Sequence, residues 1–334
     1  MNSLVALVLL GQFIGGTSLS YLLIPQLDCN GEKAKEFADL AVHYINDHNL
    51  HGYKQALNVI ADVHSYSSGP LDERAYIDLY LLETDCHVLD PTPVENCTVR
   101  PQHEHAVEGH CTLKIRRYRN STTFAAKCHS EPESEEDVRR HCPKCQILLP
   151  LNDHRVVECV DYVIHKHNEK LPNHAYQVLE ISRGQHKFEP EAFYVEFVIV
   201  ETNCTHQEIH DDHHHCHPKP VGEAHIGFCK ATVFRSHDAT EKPKDEQYES
   251  DCVIFDVKEG HSRTHLIDHH FGKHIASPAH NNTVLDLAHS HKDENTVYSL
   301  PVSEETEDGR ETIVDPGHKS DSNICPGKIH HFKV

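Results

Sequence analysis

The chain has 334 residues, enough for two domains and a tail, with 13 cysteines, 34 histidines and a net charge of −21 when histidine is neutral. That acidic balance excludes nucleic acid as a partner, and the cysteine count excludes a reducing cytosol unless the thiols hold metal. Protonating the histidines would reverse the sign of the charge, somewhere near or below the ordinary imidazole pKa of about 6.5.

The chain opens with an apolar run, Leu4 to Leu10, followed by Gly11, Gly15, Gly16 and Thr17-Ser18. No charged side chain precedes Asp28, and no Lys or Arg follows Met1 as is usual in leaders. The pattern predicts a secretory signal over residues 1–19. The rival is a membrane anchor, but the run is short for one and is broken by glycines and Gln12. No later segment is apolar enough to span a membrane, so membrane association is not expected. Four sequons begin at Asn96, Asn120, Asn203 and Asn281. They agree with a secreted, extracellular glycoprotein.

Residues 20–129 form a first unit. Ala34, Phe37, Ala38, Ala41, Tyr44 and Ile45 recur at helical spacing within Glu32 to Asn49. A strand candidate follows over Leu57 to Val63. Ile77, Leu79 and Leu81 then alternate with Asp78 and Tyr80, the period of a strand with one buried face. Two more strands are expected, Cys111 to Tyr118 and Thr123 to Lys127. Residues 130–150 read as a linker, with the acidic run Glu131 to Asp137 and the pair Cys142-Pro143-Lys144-Cys145.

Residues 151–257 repeat the plan. Val156, Val157, Val160, Val163 and Ile164 mark a helix over Asp153 to Asn168, and both helices end in His-Asn. Tyr176 to Ile181, the alternating Val195, Phe197 and Ile199, Ile226 to Arg235 and Cys252 to Val257 are the strands. Glu83-Thr84-Asp85-Cys86 matches Glu201-Thr202-Asn203-Cys204. One helix followed by about four strands, twice over, predicts an α+β fold with each antiparallel sheet wrapped on its helix. Residues 258–334 are rich in His, Asp, Glu, Ser, Pro and Gly, and predict a mostly disordered tail.

Cysteine connectivity is not fixed by sequence. The simplest scheme pairs within each repeat: Cys86–Cys97, Cys111–Cys128, Cys204–Cys216 and Cys229–Cys252. Cys142 and Cys145 can then close on each other, and Cys29 with Cys325 can tie the tail to the first unit. That last bond would close a loop worth up to roughly 5–6 kcal/mol in the chain-entropy model, less when other bridges already restrict the chain. Cys159 is left over, opposite Leu40 in the repeat. It reads as a buried thiol acting as a small hydrophobe; the alternative is an intermolecular bridge.

Leu81-Leu82-Glu83-Thr84-Asp85-Cys86-His87-Val88-Leu89-Asp90-Pro91-Thr92-Pro93 resembles the fetuin signature, as do His105 to Gly109 and Asp137-Val138-Arg139-Arg140. The twelve-cysteine scheme is also that of fetuins. The resemblance implies two tandem cystatin-type domains and secretion into plasma. Glu180 to His186, His210 to His217 and the His-rich tail look most like the snake serum antihaemorrhagic factors. Those are fetuin-type inhibitors that bind venom zinc metalloproteinases without covalent chemistry. Neither unit contains the Gln-x-Val-x-Gly of cystatins proper, and there is no Trp, which argues against inhibition of cysteine proteases. Fetuin-B-type inhibitors present a Cys-Pro-Asp-Cys linker whose Asp meets the protease zinc. Lys144 stands there instead, and a cation is a poor zinc ligand.

Catalytic residues are not expected. His103-Glu104-His105 lacks HExxH spacing, and there is no G-x-S-x-G or P-loop. His210, His213, His214, His215 and His217 crowd the Cys204–Cys216 loop, and neutral imidazoles there suit weak Zn, Cu or Ni binding with no cofactor required. In the tail, His261, His265 and His269 repeat at four-residue spacing. Asp78 and Glu196 are expected on exposed faces of equivalent strands, where hard carboxylates suit calcium or calcium phosphate. Inhibition is expected to be steric, through the first domain and linker; fetuin-like mineral binding is the alternative function, and His-mediated metal transport a second.

Overall fold

A computed structural model describes residues 24–49, 51–104, 107–211, 216–220, 223–235, 247–255 and 324–333. The expected signal, Asn281, His213 to His215 and residues 256–323 lie outside them.

Helix α1, Glu32–His48, starts after Gly31 and buries Ala34, Phe37, Ala38, Ala41, Val42 and Ile45 on one stripe. The amide of Asn49 bonds the Ile45 carbonyl at 2.8 Å and ends it. Strands β1 (Tyr53–Ser67), β2 (Asp72–His87), β3 (Val107–Tyr118) and β4 (Ser121–Pro132) form an antiparallel sheet in chain order. Its inner residues, among them Val63, Ile77, Leu79, Leu113 and Ile115, pack on α1.

After β4 come helix α2, Glu135–His141, and the short strand β5, Ile147–Leu148, neither of which the acidic run suggests. Helix α3, His154–Glu169, is capped by the Asp153 carboxylate, which accepts from the Arg155 amide at 2.9 Å. Strands β6 (Tyr176–Phe188), β7 (Glu191–Glu201), β8 (Ile226–Phe234) and β9 (Tyr248–Phe255) complete a second sheet of order β5-β6-β7-β8-β9, with helix α4, His206–Asp211, between β7 and β8. Strands are longer than the apolar patterns predict, because the hairpins extend well beyond the core.

The same device closes each helix onto its sheet. The Asn46 amide donates to the Gln55 carbonyl and its oxygen accepts from the Gln55 amide, at 2.9 and 2.7 Å. Asn168 does the same with Tyr176 at 2.8 and 2.9 Å. This clamp aligns Asn168 with Asn46, so Cys159 corresponds to the buried Phe37 rather than to Leu40. The helices are offset from the strand repeat because the helix-to-strand connections differ in length.

The outer edge of β1 is covered by both ends of the described chain. The Leu27 amide bonds the Val63 carbonyl, and the Gly327 and His330 amides bond the Ile60 and Asn58 carbonyls. An exposed edge invites pairing with other chains, and these segments occupy it.

The open face of the second sheet packs against the first domain. Tyr53, Val88 and Leu89 meet Leu179, Val198, Val200, Ile226 and Phe228 in a third buried cluster. A charged network crosses beside it. Arg100 bonds Glu83 at 2.9 Å and Glu196 at 2.5 Å, and its guanidinium lies 4.5 Å over the Tyr53 ring. Arg183 bonds Glu83 at 2.6 Å and the Glu104 carbonyl at 2.6 Å. The Tyr53 hydroxyl donates to Glu196. Glu180 accepts from the Gly52 amide at 2.9 Å and bonds His87 and His51, each at 3.1 Å. Charges so buried persist because each is paired and hydrogen-bonded.

Candidate functional site

The linker forms a braced projection beside the second domain. Ser134 caps α2, its hydroxyl oxygen accepting from the Asp137 amide at 3.1 Å, and Val138 anchors the helix in the interior. Glu135–Arg139 and Glu136–Arg140 pairs support the exposed side. Cys142 and Cys145 are bonded, and the Cys145 amide donates to the Cys142 carbonyl at 3.1 Å. Pro143 and Lys144 therefore stand exposed on a covalently closed turn.

Strand β5 fixes that turn to the sheet by pairing with Gln185 and His186 near the end of β6. The Leu149 amide bonds the Gly184 carbonyl at 2.9 Å, and Gln146 bonds Gln185 at 3.2 Å. Gln185 in turn donates to the Glu104 carbonyl of the first domain at 2.8 Å. Beyond His186 lies the β6–β7 hairpin tip, with Phe188 47% exposed. The Arg139 guanidinium sits 4.7 Å over that ring, and His186 stacks on Phe193 at 4.6 Å. Burial, then Arg155, pushes the His186 pKa below its ordinary value and favours the neutral ring. Arg139, the Pro143-Lys144 turn and Phe188 thus form one edge held from three directions. Sequence reasoning singled out Lys144 and the segments holding Arg139 and Glu180 to His186 but missed Phe188 and its pairing with Arg139, which joins separate elements.

The structure bonds Cys29–Cys325, Cys86–Cys97, Cys111–Cys128, Cys204–Cys216 and Cys229–Cys252 in addition to the clip. Cys159 is a buried free thiol, its pKa pushed up to about 11, chiefly by desolvation. Asn96, Asn120 and Asn203 are exposed, with Asn120 on the β3–β4 turn. His210 lies in α4, and His217 is exposed with its amide donating to Asn203 at 2.9 Å. Among the described residues no group of three or more His, Cys, Asp or Glu side chains is placed to hold a metal ion.

One expectation is overturned. Glu196 does lie on the outer face of its strand, but the first domain covers that face and Arg100 holds the carboxylate. Burial opposes its ionisation, yet Arg100, Arg183 and Lys230 prevail and hold its pKa below the ordinary value. It is not a surface calcium ligand. Asp78 is part-exposed, but accepts from His110 at 2.7 Å and Thr112 at 3.1 Å.

A cystatin-domain profile matches residues 145–238. Over the whole length of both chains the protein is 62% identical to the antihemorrhagic factor cHLP-B of Gloydius brevicauda and 57% identical to the antihemorrhagic factor BJ46a of Bothrops jararaca. The chain belongs to the antihaemorrhagic factors of the fetuin family. Mouse fetuin-B, solved in an inhibitory complex with human meprin beta, has the same fold at a TM-score of 0.57 and 24% identity, covering 69% of this chain and 73% of that one. In this chain the disulfide clip stands at the entry to the second domain, next to the first hairpin of that domain. No helix among the described residues is long and apolar enough to cross a membrane.

Proposed function

We propose that this fetuin-family chain is a secreted plasma glycoprotein that inhibits haemorrhagic zinc metalloproteinases of the snake-venom type, and is not itself an enzyme. The observation that carries this reading is the 62% identity to an antihemorrhagic factor over the full length of both chains. Inhibition is steric and non-covalent. The edge formed by Arg139, the Cys142–Cys145 turn and Phe188 is already fixed before binding, which limits the entropy lost on association. Lys144 offers a cation rather than a zinc ligand, so the edge covers the cleft instead of coordinating its metal. The corresponding edge of the first domain is the β1–β2 tip, and the Asn120 sequon lies on the adjoining β3–β4 turn, joined to that tip by the Arg119 amide and the Leu71 carbonyl at 2.9 Å, where a glycan would stand between the edge and a protease. Contact therefore falls on the linker and second domain rather than on the first domain.

The test is a titration of a haemorrhagic venom metalloproteinase, on a protein substrate, with the plasma-purified chain. Saturable inhibition near equimolar ratio with the chain left uncleaved is expected; no inhibition across several such proteases overturns the reading. Opening the clip with Cys142→Ser/Cys145→Ser should weaken inhibition about tenfold while removing less than about 2 kcal/mol of stability, as befits so short a loop. Unchanged inhibition would move the contact surface elsewhere.

A further inference from the structure

The first sheet has an outer face that is open over β2 to β4, while at β1 the N-terminal segment covers His64, whose ring bonds the Ile24 carbonyl at 3.0 Å. Its cross-strand rows are set by register. Tyr66, Arg74 and Arg116 stand in one row, His64, Tyr76 and Lys114 in the next, and Thr112 with Lys127 beyond them. The end of β3 adds Tyr118, and the turn after it Arg119. In a chain of net charge −21, this half of the face is cationic and aromatic.

The cations are positioned rather than merely present. One carboxylate, Asp72, holds two guanidiniums in register: Arg116 through bonds of 3.0 and 3.0 Å, and Arg74 at 3.3 Å. The three groups together keep one positive charge. Arg116 bonding, then Arg74, depresses the Asp72 pKa below its ordinary value against some desolvation, so the brace stays ionised. Arg74 and Arg116 remain 39% and 38% exposed. Each ring carries a cation: Arg74 lies 6.0 Å from Tyr66, Lys114 6.0 Å from Tyr76, and Arg116 and Arg119 5.3 and 5.2 Å from Tyr118. The acids on the same face are engaged, Asp62 by Gln26 and His64, and Asp78 by His110 and Thr112.

We propose that this face docks a sulfated polysaccharide of the glycosaminoglycan kind. A flat row of fixed cations matches a polymer with regularly spaced anions, and releasing that polymer's counterions drives association. The tyrosine planes offer apolar surface to sugar rings between the anionic groups. The face has no aliphatic cluster beside its tyrosines to form the buried centre of an interface with a folded protein. The site is independent of the protease edge, which lies in the linker and the second domain.

The experiment is titration of the plasma-purified chain with a heparin oligosaccharide at physiological and raised salt. Saturable binding that weakens steeply with salt is expected. Lys114→Glu/Lys127→Glu should weaken it about tenfold and lower the salt slope by roughly one unit per cation removed. Lys35→Glu makes the same charge change on the exposed side of α1 and should leave binding within about twofold. Inhibition of the metalloproteinase should be unchanged in both, which also reports that they fold. Absence of binding at physiological salt overturns the proposal. So does equal loss in Lys35→Glu, or binding of single-stranded DNA as tight as that of heparin.

Discussion

The two sheets follow one plan, and the open face of one is solvated while that of the other is packed against its neighbour. The same backbone slots serve both. The Arg100 amide bonds the Glu83 carbonyl at 3.0 Å, and the Lys219 amide bonds the Glu201 carbonyl at 3.0 Å. Thr84 pairs with Val99 as Thr202 pairs with Pro218. Yet Glu83 reaches Arg183 of the other domain, whereas Glu201 collects Lys219, His225 and His174 of its own at 2.6, 2.6 and 2.9 Å. A duplicated ion-pair slot became a domain joint in one copy and a local brace in the other. The joint holds the protease edge in register with the first domain, because Arg183 and Gln185 of β6 both bond Glu104.

The largest effect should come from breaking the joint. Arg100→Met leaves Glu196 buried without its principal cation and takes from Glu83 one of its two. Such a loss costs about 3–5 kcal/mol. Calorimetry should show one unfolding transition for the native chain and two for the variant, as the domains uncouple. Lys219→Met at the matching slot should cost about 1–2 kcal/mol, since His174 and His225 still hold Glu201. Equal losses at the two positions would mean that the joint carries no special share of the stability.

Much of this plan was legible in the sequence. The alternation of Ile77, Leu79 and Leu81, and of Val195, Phe197 and Ile199, marks strands because one face of each meets a helix. The duplication also made a pairing scheme readable for the cysteines. Glu196 misled for a physical reason: a period-two pattern assigns a side chain to a face but does not say what covers the face. The Arg139–Phe188 contact was equally hidden, since no local pattern links a linker helix to a hairpin tip. The offset of the two helices escaped as well, because connections of different length shift a helix while leaving the strand match intact.

That offset sharpens the comparison of the two cores. The Asn clamp aligns Val156 with Ala34, and the sheet registers align Gly184 with Val63. The large and small members have changed places across the helix–sheet contact. A Cβ on Gly184 would meet Val156 at 2.7 Å. Gly184→Val should therefore cost about 3 kcal/mol through overpacking. Adding Val156→Ala recreates the pairing of the first domain and should recover most of that loss in denaturant titrations. Failure of the double variant would show that the two helices sit at different heights on their sheets.

Glu201 gives a smaller, pH-dependent effect. Desolvation opposes its charge, but Lys219 and His225, and then His174, bring its pKa down to about 2. The folded pKa lies below the ordinary value, so the stability it lends is present above about pH 4.5 and is lost as pH falls towards 2. Glu201→Gln should lower stability at pH 7 by about 2 kcal/mol and flatten the pH profile between those limits. A parallel, merely shifted profile would assign acid lability to other carboxylates.

The smallest effect concerns the odd thiol. Arg117 lies 5.0 Å over Phe37, which comes from the helix of the first domain; Arg235 lies 5.1 Å over Phe193, which comes from a strand of the second. The matching partners are small: Ala75 on the strand of the first domain, Cys159 on the helix of the second. The aromatic has moved from helix to sheet, and Cys159 is the small residue left opposite it. Its size, not its chemistry, then explains its presence. Cys159→Ala should cost about 1 kcal/mol and leave the chain monomeric, while Cys159→Phe should cost about 1–3 kcal/mol by crowding Phe193. If the alanine variant instead dissociated a disulfide-linked dimer of the native chain, the thiol would have to leave a site where it is fully buried, and the size argument would fail.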